Sequence, residues 1–157
     1  LDHFLFVVAL GVACHLLGQR IPSIAAFLVA ALAGTLFHVQ PATLPHAELW
    51  VAVSLIVLGV ALLRGAPLLR AWTAPVLFAL AGFVHGYAYG ESIVGAERTP
   101  LLAYLAGFTL IQLAVALAGY YGARYAARRC SPAAAPNALG AGASAAGVAL
   151  LLVGLVS

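Results

Sequence analysis

The chain has 157 residues, of which 65% are hydrophobic and only 7% charged, and its mean hydropathy is +1.11. Ordinary soluble domains carry about 25% charged residues, so the composition excludes that class and indicates an all-α integral membrane protein. The formal net charge of +3 is too small to indicate nucleic-acid binding. Cys14 and Cys130 lie far apart in sequence, which argues against a disulfide framework and against a thiolate metal site.

Apolar runs separated by loop signals predict a polytopic membrane protein with six transmembrane helices in one compact bundle and one domain. Pro22 suits the first turn of the second helix, and Pro41 and Pro45 mark the loop before the third. Thr99-Pro100 begins the fifth helix, and residues 131–136 form a linker before the last. The predicted helices cover residues 2–17, 22–37, 49–63, 71–92, 100–124 and 137–157.

Arginines and acids are expected at opposite ends of this bundle. The loops after the first, third and fifth helices hold Arg20, Arg64, Arg70, Arg124, Arg128 and Arg129. The other end holds Arg98 and the four acids, which are Asp2, Glu48, Glu91 and Glu97. The positive-inside rule makes the arginine end cytoplasmic, so we expect both termini outside and a periplasmic N-terminus in a bacterial inner membrane.

The first predicted helix is short for a membrane span, which takes about 20 residues. We therefore expect it to continue upstream of Leu1 or to follow a cleaved signal peptide.

The end of the fourth predicted helix concentrates polar side chains, including His85 and Tyr89, which lie four residues apart on one helix face. A side-chain-free stripe beside them is formed by Gly82, Gly86 and Gly90. A charged residue at the bilayer centre costs about 2.5 to 3.5 kcal/mol, so such a group is a functional hypothesis by default. A glycine-lined helix contact with one buried, hydrogen-bonded histidine explains the pattern equally well, and the sequence leaves both interpretations open.

Histidines and acids share the predicted outer half of the bundle. They are Asp2, His3, His38, His46, Glu48, His85, Glu91 and Glu97. Imidazole and carboxylate together suit Ni²⁺ or Co²⁺, and carboxylates offset the charge of the ion. His38 and His46 are separated by two prolines and are interpreted as residues of a solvated loop. Asp2 also suits a helix N-cap.

Two stretches carry recognisable motifs. The first is Leu1 to Gly11 with the pair Asp2-His3, and the second is His85-Gly-Tyr-Ala-Tyr-Gly-Glu-Ser92. They resemble the first-helix motif and the His-Gly-x-Ala-His-Gly-x-Glu motif of the HupE/UreJ family, hydrogenase and urease accessory membrane proteins regarded as nickel or cobalt permeases. A Pro, a Tyr and a Gly-Phe pair that follow in the family are matched by Pro100, Tyr104 and Gly107-Phe108. The resemblance extends to about Gly119.

The resemblance implies particular site residues. The residues of this chain that match the functional positions of the family motifs are Asp2, His3, His85 and Gly86, with Ala88 and Gly90 as packing positions. The second histidine of the family motif falls on Tyr89, its acid falls on Ser92, and the upstream histidine of the first motif would precede Leu1. A phenol is a poor ligand for these ions, so Tyr87 and Tyr89 are expected to orient His85 by hydrogen bonds.

The sequence therefore predicts a secondary permease that takes up nickel or cobalt through Asp2, His3 and His85, with Glu91 added on chemical grounds alone. No Gly-x-x-x-x-Gly-Lys sequence occurs, so a gradient or a partner is expected to supply the energy. Gln112 and His15 lie deeper and are interpreted as inter-helix hydrogen-bonding residues, with a continued polar path for the ion as the alternative.

The expected partners are membrane lipid, a divalent metal ion, and a membrane protein or a second copy of the chain. We expect no nucleic acid, no organic cofactor and no enzyme activity, because no nucleophile and base stand at a plausible spacing. The alternative function is a non-transporting accessory or structural subunit docked to a larger membrane complex.

Overall fold

The computed structural model describes residues 2–18, 20–39, 43–65, 73–90, 98–129, 131 and 134–156. All regular secondary structure in these residues is α-helical, as predicted, and no strand occurs among them. The six helices are α1 (Asp2–Leu16), α2 (Arg20–Val39), α3 (Ala47–Leu63), α4 (Thr73–Gly90), α5 (Arg98–Arg129) and α6 (Ala134–Val156).

Four of the helices have a proline in their first turn. Each proline stands third in its helix, and they are Pro22, Pro75, Pro100 and Pro136. The first four N–H groups of a helix have no partner within the helix, so the missing N–H of proline costs nothing there.

Glycines end α1 and α3. Gly18 and Gly65 have φ angles of 65° and 69°, a left-handed conformation that favours glycine. The N–H of Gly18 donates to the carbonyl of His15, and that of Gly65 donates to the carbonyl of Leu62. These bonds satisfy carbonyls that the helix itself leaves open.

The tightest helix contact joins α2 and α4, which run in the same direction. A side chain on Gly82 would overlap the backbone of Phe27, and one on Gly86 would overlap that of Ala31. From the other helix, a side chain on Gly34 would overlap the backbone carbonyl of Phe83. The two backbones therefore touch along about two helical turns, as the four-residue glycine spacing predicts.

Two further pairs pack in the same way. Gly11 of α1 lies against the backbone of Ala116 in α5, and Gly59 of α3 lies against Gly140 of α6. Helix α1 is the central element, since it contacts α2, α3, α5 and α6 and its residues Leu10 and Ala13 are completely buried. The start of α1 and the ends of α2 and α4 lie at one end of the bundle, since the first turn of α1 contacts the last turns of α4, which runs beside α2 in the same direction.

Two of the described helices are long and apolar enough to cross a membrane, within Leu101–Arg129 and Pro136–Gly154. Asp2–Leu16, Pro22–His38 and Ala47–Leu63 are apolar but shorter. Helix α5 extends to Arg129, beyond the predicted end near Arg124, because no glycine or proline interrupts residues 123–129.

We expect Gly34→Ala to lower the free energy of unfolding by about 1 to 3 kcal/mol, because its methyl group has no room against Phe83. Gly142→Ala is the matched control, since nothing lies within 4 Å of a methyl group there, and alanine should raise stability by up to about 1 kcal/mol. Unfolding of the detergent-purified protein in increasing SDS, followed by circular dichroism, measures both. Equal effects of the two substitutions would contradict the α2–α4 contact.

Candidate metal-binding site

The first turn of α1 meets the last turns of α4 in a polar cluster formed by Asp2, His3, His85 and Tyr89, here called the His3–His85 cluster. The rings of His3 and His85 lie 4.5 Å apart between centroids at an interplanar angle of 76°. Nε2 of His3 also lies 3.0 Å from the backbone carbonyl oxygen of His85. The antiparallel course of α1 and α4 thus joins residues that are 82 positions apart in sequence.

His3 has an acceptor at each ring nitrogen. Its Nε2 faces the His85 carbonyl, and its Nδ1 lies 3.3 Å from Oδ2 of Asp2. Since a carbonyl and a carboxylate accept hydrogen bonds and do not donate them, both contacts are made together only when both nitrogens carry protons. An ion that binds His3 must therefore displace one of these contacts.

His85 is completely buried, and its hydrogen bonds fix which nitrogen carries the proton. Ser54 of α3 donates its single hydroxyl hydrogen to the carbonyl of Val51, at 2.7 Å. The Ser54 oxygen then accepts from Nε2–H of His85, at 2.8 Å. Because a neutral imidazole carries one proton, this network assigns the lone pair to Nδ1.

Nδ1 of His85 is buried and has no hydrogen-bond partner within the described residues. Buried polar atoms are usually paired, so this unpaired imidazole nitrogen is available to a ligand. Histidine binds metals in this neutral form, in which one ring nitrogen offers its lone pair and the other is held by a hydrogen bond.

Aromatic side chains enclose the imidazole of His85 on the inner side. The ring of Phe6 lies 4.3 Å away between centroids, and that of Phe27 lies 6.2 Å away. This apolar wall excludes water from the inner side of the ring, so electrostatic interactions there are stronger than in water.

Tyr89 connects the cluster to α5. Its ring meets His3 edge to face at 4.0 Å and meets Phe108 at 4.2 Å, and Phe108 stacks on Tyr104. The position that carries histidine in the family motif is therefore occupied here by a ring packed between His3 and α5.

Tyr87 faces the other way, toward α2. Its hydroxyl accepts from the N–H of Leu44 at 2.8 Å, and its ring lies 4.3 Å from that of His38. The interpretation of His38 as a solvated loop residue is wrong, because it lies on α2 and packs against Tyr87 and Gly90. His46 is exposed, just before α3.

Of the predicted ligands, the structure brings together Asp2, His3 and His85, while Glu91 lies outside the described residues. Within the described part of the chain, no group of three or more His, Cys, Asp or Glu side chains is arranged to hold a metal ion. Sequence reasoning missed Ser54, although it is the one hydroxyl residue in the apolar run 49–63. The position of Ser54 as a single hydroxyl residue in an apolar run was the sequence feature that could have identified it.

Comparison with known proteins identifies the family. No curated protein and no solved structure matches the chain. The family profile described as HupE / UreJ protein matches residues 1–150, nearly the whole chain, and confirms the resemblance inferred from the two motifs. The chain therefore belongs to the HupE/UreJ family, membrane-associated hydrogenase and urease accessory proteins related to nickel and cobalt transport.

Proposed function

We propose that the chain is a secondary permease that takes up Ni²⁺ or Co²⁺, with the His3–His85 cluster as its outer binding site. The observation that carries this proposal is the buried Nδ1 of His85, whose lone pair has no partner within the described residues, beside His3. Imidazole nitrogen is a preferred ligand of both ions. The family membership supports the same class of cargo.

The surface of the bundle supports a position in the membrane, with all six helices crossing it. Large apolar side chains are exposed on every helix, among them Phe4, Val29, Trp50, Leu80, Ile111 and Val153. Soluble monomers rarely expose so many large apolar side chains together, whereas lipid covers them without cost. The arginines of α5, near its end at Arg129, lie at the end away from Asp2, so the positive-inside rule favours the periplasmic side of a bacterial inner membrane for the cluster and both termini.

The described side chains have distinct parts in such a site. His85 is held rigidly by Ser54 and offers Nδ1, so it binds the ion without reorganising. His3 offers a second imidazole once one of its contacts is displaced. The Asp2 carboxylate beside His3 offsets the positive charge of the ion in an apolar setting. The ion thus exchanges part of its hydration for protein ligands at the outer end of the bundle.

A second candidate function is a non-transporting subunit docked to a larger membrane complex. The observation that favours it is the surface of α6, where Gly142 and Gly154 have nothing within 4 Å in the described structure. Small residues on a lipid-facing helix allow another helix to approach closely. Uptake measurements separate the two functions.

His85→Ala should reduce uptake of labelled nickel or cobalt by about tenfold or more, since second-layer changes alone typically cost about 10- to 100-fold in metal affinity. The measurement uses low external ion concentrations in cells that lack their own high-affinity importers. His46→Asn is the matched control, because His46 is exposed and has φ of 56°, which asparagine tolerates. It should leave uptake unchanged.

The same assay decides against the permease if the parent chain, shown by immunoblot to be in the membrane, imports neither ion above empty cells. That result favours the docked subunit. If His85→Ala and His46→Asn reduce ion uptake equally, His85 has no specific part in binding the ion.

Ser54→Ala should weaken the apparent affinity for the ion by about tenfold while leaving the maximal uptake rate closer to that of the parent, because His85 loses the acceptor that fixes its tautomer. Ser54→Thr keeps the hydroxyl and should restore the affinity. If the alanine and threonine variants behave alike, the hydroxyl has no part in orienting His85.

A further inference from the structure

A shallow cleft lies on the outside of α5, close to the end of the helix. Its volume is about 250 Å³, and the described residues that line it all belong to α5. They stand three and four residues apart, which is the spacing of one helix face, and they are Tyr121, Arg124, Tyr125 and Arg128. All four side chains are exposed, and together they are here called the α5 arginine face.

The length of α5 places this face at the surface of a membrane. Residues 101–120 contain no charged side chain, and at 1.5 Å per residue they span about 30 Å, the thickness of the hydrocarbon core. Residues 121–129 continue the same helix beyond the core, at the level of the lipid headgroups. Tyrosine is enriched at this level, because its ring is apolar and its hydroxyl group is polar.

The described acids lie at the opposite end of the bundle. Asp2 belongs to the His3–His85 cluster, and Glu48 stands in the first turn of α3, ahead of the serine that holds His85. The ring of His15, near the end of α1, contacts that of Tyr120, so the α5 arginine face lies beyond the other end of α1. Within the described part of the chain, this face therefore carries positive charge with no carboxylate beside it.

The dipole of the helix accounts for only part of this charge. Cations are favourable in the last turn of a helix, which here holds Arg128 and Arg129. Arg124 stands one turn earlier, where like charges four residues apart repel each other. The guanidinium carbon of Arg129 lies 5.5 Å from the centre of the Tyr125 ring, in a cation–π contact. Arg124 and Arg128 are thus the two arginines that line the cleft.

We propose that the α5 arginine face binds the headgroup of an anionic phospholipid in the cytoplasmic leaflet. The inference rests on the membrane position proposed above and not on ion transport. A guanidinium donates two parallel hydrogen bonds to a phosphate, and two guanidinium groups one helical turn apart can hold one phosphate between them. The cleft has the volume of about eight water molecules, so it admits a phosphate group with part of its hydration.

Lipid binding to the full chain, purified in detergent, tests this site. Native mass spectrometry measures the lipid that the protein retains when phosphatidylglycerol or phosphatidylcholine with the same acyl chains is added. The parent chain should bind phosphatidylglycerol about tenfold more tightly than phosphatidylcholine, because only the first lipid carries a net negative charge. Arg124→Gln combined with Arg128→Gln should remove most of this preference.

The matched control is Arg64→Gln, which removes one positive charge from an exposed residue at the end of α3. Arg124→Gln alone should weaken phosphatidylglycerol binding by about fivefold, whereas Arg64→Gln should leave it within about twofold of the parent. Excess inorganic phosphate should not displace the lipid. Displacement would overturn the lipid headgroup as the ligand in favour of free phosphate.

The outcomes for the lipid site and for the permease are distinguishable. If the parent chain prefers neither lipid, or the double variant keeps the preference, the lipid site is overturned and an acidic segment of a partner protein becomes the occupant of this face. Nickel uptake decides the permease separately. If alkaline carbonate extracts the parent chain from cell membranes, the membrane position fails and the lipid site fails with it.

Discussion

The close approach of α2 and α4 is the constraint on which the candidate site depends. Gly86 faces α2, where the backbone of Ala31 leaves no room for a side chain. Successive helical residues are rotated by about 100°, so the side chain of His85 projects to one side of the line along which α2 and α4 touch. It is thereby placed against Ser54 of α3 and His3 of α1. The glycine that allows the helix contact also sets the direction of the histidine.

This arrangement explains how a polar group persists inside a bundle made almost entirely of apolar residues. Ser54 returns its hydrogen to its own helix, at the carbonyl of Val51, and uses its oxygen to hold His85. One nitrogen of His85 is satisfied in this way, and the other is left with a lone pair. Rigid support on one side and an available lone pair on the other are what a ligand histidine requires.

The helices were predictable from sequence because proline, glycine and hydropathy act locally. The four-residue spacing of Gly82, Gly86 and Gly90 indicated a close helix contact, but it could not name α2 as the partner, since spacing reports one surface only. The proximity of Asp2, His3 and His85 followed from placing their helix ends on one side of the bundle. The roles of Ser54 and His38 did not follow, because each depends on which helices pack together. Glu91 lies outside the described residues and stays a prediction.

The hydrogen bond from His3 to the carbonyl of His85 has an energetic consequence. An ion that takes Nε2 of His3 has to break this bond, whose net contribution is about 1 kcal/mol. That amount is subtracted from the binding free energy and weakens affinity about fivefold, since about 1.4 kcal/mol corresponds to a factor of ten. The tie between α1 and α4 thus lowers the affinity that the proposed site would have for an ion bound at Nε2 of His3. In the proposed permease, weaker binding favours release of the ion.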